Sequence, residues 1–309
     1  MSDWEAELTP EMTSEKAAAL CLWACLGQIE RNRRVALDTD DPEGPHQLRV
    51  GLRKLRTALR LFRPLIGCPE ATRLSGEARD IGRAVGHTRD LDVFVTELLP
   101  ELGHDLTEDA AAEIRRGFEA ERVEERERLR GMLRGERMER FLRDLDAFIR
   151  RRGWIVPEDF DQTERLAEPV GGFAGRSLAA RWKKTAKLAR HVTGPDVEKR
   201  HEFRKDLKKL RYSVDFLRPV LDPKTMKPFR KRLKKLQDSV GILNDVATAH
   251  ALVEEARTRG FLKEHASDQL TKALGRYEGR MTVARDEAAK LWRALAAAPL
   301  PWDPRRGTR

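Results

Sequence analysis

The chain has 309 residues, enough for one large domain or for two of about 150 residues, and either can bury a sizeable core. Only 6% of the residues are aromatic and 36% are charged, a composition typical of long amphipathic helices and not of a sheet-rich fold. Lys and Arg outnumber Asp and Glu by 61 to 51, so the net charge of +10 favours an acidic partner, without distinguishing nucleic acid, a phosphate polymer or an anionic membrane.

Helical periodicity begins near Pro10 and predicts an N-terminal helical bundle over residues 10–152. Residues 153–175 contain several prolines and glycines without a sustained period of 3.6, so they are predicted to link two halves. Helices resume in a C-terminal bundle over residues 176–297, and a disordered tail is expected at residues 298–309. After a first helix that fails at Asp38, helices are predicted at about 45–66, 70–99, 107–133, 136–151, 176–192, 197–221, 223–260 and 264–297.

The chain shows no sign of a membrane segment or of a catalytic motif. Its N-terminus lacks a basic and apolar leader, and no run approaches about 18 apolar residues, so a cytoplasmic protein is expected. Cys21, Cys25 and Cys68 are an odd number and are expected to be free thiols, with no metal and no cofactor. There is no Gly-rich phosphate loop, GxSxG elbow or HExxH helix, which argues against an enzyme.

Two segments of the chain are related to each other. HQLRVGLRKLRTALRLFRPL, which begins at His46, matches HEFRKDLKKLRYSVDFLRPV, which begins at His201, at eight of twenty positions and at a constant offset of 155 residues. The same offset relates Val85-Gly86 to Val240-Gly241. An internal duplication is the simplest explanation, and it predicts two related helical halves.

Both segments have one apolar face and one cationic face when they are drawn as helices. The predicted core positions are Leu48, Leu52, Leu55, Leu59 and Phe62 in the first helix and Phe203, Leu207, Leu210, Val214 and Leu217 in the second. The opposite faces carry His46, Arg49, Arg53, Arg56 and Arg60 in the first helix and His201, Arg204, Lys208 and Arg211 in the second.

Each cationic row is self-repelling, because its members are spaced by about one helical turn of 5.4 Å. An ordinary solvated face would intersperse acids to relieve this repulsion, yet no Asp or Glu lies between His46 and Pro64. In the second helix only Asp215 lies on the basic line. A bound polyanion would offset the repulsion through charge-assisted hydrogen bonds and counterion release. The pattern favours a binding face over a solvated one, mainly because it occurs twice.

The paired segments, each followed by a VG-x-x-[RN]-D element, resemble the conserved histidine α-helical domain (CHAD) family. The likeness extends from about residue 12 to 297. It implies an all-α fold of two pseudo-symmetric antiparallel four-helix bundles with a central basic groove, and binding of inorganic polyphosphate. The motif residues carried over are His46, Arg49, Arg53, Lys54 and Arg56, then His201, Arg204, Lys208, Lys209 and Arg211; Arg60 and Lys205 complete the predicted binding set.

Several alternatives remain open at this stage. The histidines follow Asp41-Pro42 and Asp196 as caps and could donate to phosphate, pack, or ligate a metal, and Arg89-Asp90 and Asn244-Asp245 look like polar clamps. Nucleic acid is the weaker alternative ligand, because the rows lack aromatic side chains on which bases could stack. A helical scaffold for acidic partners, or for polyphosphate granules, is a third. The strand motif Glu-x-Glu-x-Lys of the family's triphosphate-hydrolysing fusions is missing, since Glu5-Ala-Glu7-Leu-Thr9 ends in Thr.

Overall fold

The all-α class is confirmed. The computed structural model describes residues 7–192, 194, 196–280 and 282–302, without the side chains of 197, 242–245, 280 and 282–285. It is 84% helical and has no strand among these residues, and none of their helices is both long and apolar enough to cross a bilayer. The main helices are α1 Ser14–Asp38, α2 Glu43–Leu61, α3 Pro69–Val93, α4 Glu108–Arg134, α5 Glu136–Arg150, α6 Phe160–Ala167, α7 Val170–Ala189, α8 Val197–Leu217, α9 Pro223–Arg259, α10 Glu264–Arg280 and α11 Thr282–Ala296.

Shorter helical segments join some of these helices. They are Arg63–Ile66, a π-helical turn at Phe94–Leu98, Leu99–Leu102, and 3₁₀ turns at Gly103–Asp105 and Arg218–Val220. The Asp196 carboxylate caps α8 by accepting a hydrogen bond from the Lys199 N–H at 3.1 Å, as the sequence predicts. The start of α2 differs, because Pro42 occupies its capping position and makes no side-chain cap.

The segment predicted as a linker, residues 153–175, is structured. Trp154 is buried and packs edge-on against Phe148 with ring centroids 5.5 Å apart, and α6 and the start of α7 fall within the segment. The buried amide of Gln162 donates to the Leu65 carbonyl at 3.1 Å and to the Trp154 carbonyl at 2.9 Å. These long-range contacts stabilise a segment whose local periodicity is weak, and its role as the connection between two halves stays a prediction.

Residues 298–309 were expected to be a disordered tail. The part of this tail that the structure describes, residues 298–302, packs against the core instead. Trp302 is buried, with its ring 5.2 Å from Phe229 and 6.1 Å from Trp182 between centroids. An aromatic side chain that removes this much apolar area from water anchors the chain behind it. Residues 303–309 lie outside the described residues.

The helices of the two halves follow the same order and spacing. Helices that start at residues 14, 43, 69 and 108 have counterparts that start at 170, 197, 223 and 264, each within one residue of the 155-residue offset. An isolated antiparallel bridge joins Thr13 to Pro169, the two residues that precede α1 and α7. The matching order of helices and the pairing of nearly equivalent positions are what an internal duplication predicts.

The halves do not enclose separate cores. The larger buried cluster runs from Leu8 to Trp302 and joins α1, α2, α3 and α5 to α7, α8 and the first part of α9. A second cluster packs Leu91–Phe118 of the first half against Ala249–Leu274 of the second. Because each core needs both halves, the chain is one cooperative structure with α2 and α8 packed against each other.

Candidate functional site

The predicted division between core face and cation face is confirmed in both α2 and α8. Each of the ten predicted apolar side chains is at most 5% exposed. Four of them lie in α2, Phe62 directly follows α2, and the other five lie in α8. The cations of α2 are accessible on the other side: His46, Arg49 and Arg53 are half-buried, and Arg56 and Arg60 are exposed. Burial of the apolar stripe therefore fixes where the cations lie.

The α2 row remains electrostatically unrelieved in the folded chain. Among the described residues, no carboxylate lies within ion-pair distance of Arg53, Arg56 or Arg60. Partial burial lowers the pKa of Arg56, and neighbouring cations, chiefly Arg79 followed by Arg53, lower it further. Folding thus gathers positive charge here, and α3 adds Arg79, which sequence reasoning did not assign to the site.

A cavity of about 840 Å³ brings cations of α2 and α8 together. Six of the twelve predicted residues line it: His46, Arg53 and Lys54 from α2, and Arg204, Lys208 and Arg211 from α8. Arg53 and Lys208 occupy equivalent positions, 155 residues apart in the chain. The two copies of the motif therefore face one shared space.

Three further cations line this cavity without having been predicted: Arg31, Arg218 and Arg230. Arg218 lies near the end of the repeated segment, where it matches Arg63, and this match was the available signal. Arg230 lies in a part of α9 that is rich in Lys and Arg, but its placement depends on how α9 packs on α8. Periodicity within one helix cannot supply that contact.

Two carboxylates, Asp215 and Asp238, line the same cavity. Asp215 accepts from Arg230 Nε at 2.7 Å, and its second oxygen lies 3.5 Å from Arg211 Nε. Eight Lys and Arg side chains against two Asp side chains leave the lining strongly cationic. Positive charges that line one concave surface reinforce one another's attraction for an anion.

Arg49 serves a different role from its neighbours, because it does not line the cavity. Its Nη1 donates to Asp90 Oδ1 at 3.2 Å, and its guanidinium lies against Gly86, where an added Cβ would come within 3.3 Å. The polar clamp expected of Arg89-Asp90 is therefore present as an Arg49–Asp90 ion pair. The side chains of Asn244 and Asp245 lie outside the described residues.

His46 lies in the first turn of α2 and lines the cavity. Partial burial lowers its pKa, and the nearby Arg89 lowers it further against the opposing effect of Glu43. A neutral imidazole retains one N–H donor that can bind a phosphate oxygen. His201, at the equivalent position in α8, is half-buried and does not line the cavity.

Arg56, Arg60, Lys205 and Lys209 of the predicted set also lie outside the cavity lining. Burial lowers the pKa of Lys209, and Arg60 and the α7 cations lower it further despite Asp206 nearby. Arg60 and Lys209 therefore bring cations of both halves together a second time, beyond the cavity. Lys205 is exposed.

One cluster with the composition of a metal site does occur among the described residues. His87, Glu121 and Glu125 offer ligand atoms within 4.8 Å of one another. Arg128 already donates to Glu121 at 2.9 Å and to Glu125 at 2.6 Å, so these carboxylates have cationic partners. We read this cluster as an Arg–carboxylate network. Cys21 and Cys25 are buried free thiols, and burial raises the pKa of Cys25 to about 12.

Comparison with known proteins gives one family and several similar structures, two of which are described here. The family model of the CHAD domain matches residues 20–254. The crystal structure of the CHAD domain from the plant Ricinus communis is 23% identical, with a TM-score of 0.81 over 95% of each chain. PptA from Streptomyces chartreusis is 14% identical, with a TM-score of 0.68 over 91% of this chain and 100% of its own. No curated protein matches the sequence. At these identities the structures show the fold.

Proposed function

Because the chain belongs to the CHAD domain family, we propose that it binds inorganic polyphosphate, without catalysis, in the cavity shared by α2 and α8. The supporting observation is the lining of that cavity, where eight Lys and Arg side chains from both halves outnumber two Asp side chains. A ligand for this surface needs closely spaced negative charge and little else.

Inorganic polyphosphate has these properties. It is a uniform flexible chain with about one negative charge per phosphate group, so successive phosphates can contact successive cations of a helix face. Arg side chains bind phosphate oxygens bidentately, and ammonium groups of Lys add point charges. Release of condensed counterions adds a favourable term that grows with each contact made.

The proposed path of the chain extends beyond the cavity. Arg53 lines the cavity. The exposed Arg56 and Arg60 are the next members of the same row along α2. Lys209 of the other half is close enough to Arg60 for their charges to interact. A long chain leaving the cavity along α2 would therefore meet cations of both halves, whereas a short chain would end inside.

Nucleic acid is the runner-up ligand. Tyr212 and Phe216 line the cavity but are at most 8% exposed, so their faces are covered by the protein. Trp23 is half-buried, and the guanidinium of Arg150 lies 5.3 Å from its ring centroid. The cavity therefore offers bases few stacking surfaces, and stacking supplies much of the affinity for single strands.

Competition separates the two ligands. A fluorescent long polyphosphate and a fluorescent single-stranded DNA are each bound to the protein and displaced by the other, at matched phosphate concentration and matched salt. The proposal expects polyphosphate to displace DNA at far lower phosphate concentration than the reverse. Equal displacement in both directions would contradict it and favour a general polyanion surface.

The absence of catalysis and the site of action need separate tests. Polyphosphate incubated with the protein should keep its chain-length distribution and release no phosphate above a protein-free control. In cells, we expect a fluorescent fusion to be cytoplasmic and to gather on polyphosphate granules when these form. A fusion that carries Arg53→Glu should stay dispersed at the same expression level.

A further inference from the structure

The first part of α9 carries an unusual density of positive charge. Residues 223–237 include seven Lys and Arg and no Asp or Glu. Met226 and Phe229 are buried on the inner face, while Lys227, Arg230, Lys231 and Lys234 are exposed on the outer face. A helix face this basic without interspersed acids is destabilised by its own repulsion.

The first half of the chain does not repeat this feature. Its equivalent helix, α3, contains Glu70, Glu77 and Asp80 among its cations. Glu70 pairs with Arg73 at 2.6 Å, and Glu77 pairs with Arg137 of α5 at 2.9 Å. The equivalent part of the first half therefore folds without such a basic face, and the repeated segment that begins at His201 does not include it.

A second cavity, of about 720 Å³, lies where this face meets the end of α8. Its apolar surface is formed by Pro219, Leu221, Pro223 and Met226. Its cations are Arg211, Arg218, Lys227, Arg230, Lys231 and Lys234. Arg211, Arg218 and Arg230 also line the central cavity, so the two spaces are adjacent. Asp215 pairs with two of these cations, Arg230 and Arg211.

The apolar and the cationic surfaces of this second cavity suit different parts of a ligand. Inorganic phosphate gains nothing from apolar surface, and a neutral apolar molecule gains nothing from six cations. Only a molecule that joins an apolar body to an anionic group uses both. A volume of this size falls within the roughly 300–1,000 Å³ of small-molecule sites, and is too small to seat a folded partner.

We propose that this second cavity binds an organic phosphate of the size of a nucleoside di- or triphosphate. Its apolar body packs against Pro219 and Pro223 and the accessible edge of Leu221, and its phosphates lie toward Arg211, Arg218 and Arg230. The proposal does not depend on polyphosphate binding in the central cavity. Where both ligands are present, their phosphates compete for these three shared arginines.

Comparison of ATP with tripolyphosphate by calorimetry tests the proposal, and it is made in the Arg53→Glu variant so that binding in the central cavity is weakened while the lining of the second cavity is unchanged. Both carry three linked phosphates, and tripolyphosphate has the higher charge density, so a purely electrostatic site binds tripolyphosphate at least as well. The proposal expects ATP to bind about tenfold more tightly, which corresponds to about 1.4 kcal/mol. Equal binding, or tighter binding of tripolyphosphate, would overturn it.

Variants locate the binding. Leu221→Ser should reduce ATP affinity to that of tripolyphosphate and leave tripolyphosphate unchanged. Pro219→Ser, at a half-exposed position, should act in the same direction if Leu221→Ser fails to fold. The double variant Lys227→Glu, Lys231→Glu should weaken ATP binding. The charge-matched control is the double variant Arg232→Glu, Lys235→Glu. Its two positions are exposed on the same helix but do not line the cavity. If both double variants bind ATP alike, the site is elsewhere and the proposal fails.

Discussion

Reversal of charge at Arg53 is the sharpest test of the shared cavity. Arg53 lines the cavity from α2, and no carboxylate among the described residues lies within ion-pair distance of it. It also contributes to the lowered pKa of Arg56 and of His46, so it repels its own neighbours. Arg53→Glu therefore removes a ligand contact while it relieves strain in the unbound protein.

The expected size of the effect has two parts. Loss of one charge-assisted hydrogen bond to phosphate costs about 1.5–3 kcal/mol. A carboxylate placed among bound phosphates adds a repulsion of about 1 kcal/mol after screening by water and salt. The sum is about 2.5–4 kcal/mol, a roughly 70- to 900-fold rise in Kd. Thermal stability without ligand should stay the same or increase slightly.

The assay is calorimetry or fluorescence titration with long-chain polyphosphate at one fixed salt concentration. Arg116→Glu, at an exposed position of α4 outside the cavity lining, changes the net charge equally and serves as the control. If Arg53→Glu binds as tightly as Arg116→Glu, the cavity is not the binding site. If Arg53→Glu also lowers the melting temperature, Arg53 has a structural role that the geometry does not show.

Four other outcomes are expected. The logarithm of affinity should fall with the logarithm of salt concentration with a slope of roughly four to five, if about six cations neutralise phosphates; a flat titration would remove the electrostatic account. Leu52→Asp or Leu207→Asp should cost several kcal/mol and abolish the helical circular dichroism signal, since both side chains are at most 1% exposed; a folded variant would refute the face assignment. Arg49→Glu should lower the melting temperature, since it breaks the pair with Asp90, and an unchanged melting temperature would argue against the clamp. The fold lowers the pKa of His46 from 6.5. The stability that His46 contributes is therefore complete above pH 6.5 and declines as the pH falls through the lower folded-state pKa. His46→Gln should flatten this decline, and a pH profile identical to that of the wild type would contradict the reasoning.

The sequence predicted the faces of the helices because the period of 3.6 is a local property. Leu52 and Leu207 recur at that period with their apolar neighbours, and every member of both stripes is buried. The same reasoning set Arg53 and Lys208 on the opposite side, where they line one cavity. A pattern within one helix predicts which face of that helix lies toward the core, and this prediction was correct for both α2 and α8.

The pattern could not show which helices pack against which. Arg230 reaches the cavity because α9 packs on α8, and Arg49 leaves it because Asp90 of α3 lies beside it. Both depend on tertiary contacts between segments 15 and 41 residues apart. The helices within the predicted linker escaped the sequence pattern for a related reason. Pro169 immediately precedes α7, where proline interrupts no helical hydrogen bond, so it marks a helix start instead of a gap.

The two repeated segments form two cationic helices, α2 and α8, but the surroundings of those helices differ. Beside α2, the acids of α3 pair with neighbouring cations, and Asp80 lies 3.3 Å from Arg79 and 3.7 Å from Arg83. Beside α8, the first part of α9 adds cations without acids. A ligand that is uniform along its length therefore meets a nearly symmetric pair of rows in the cavity and different electrostatic fields at its two ends. Since repulsion among the α9 cations costs stability that the fold does not require, the asymmetry is best explained by a ligand that differs from the uniform chain, which is the basis for assigning the second cavity to an organic phosphate.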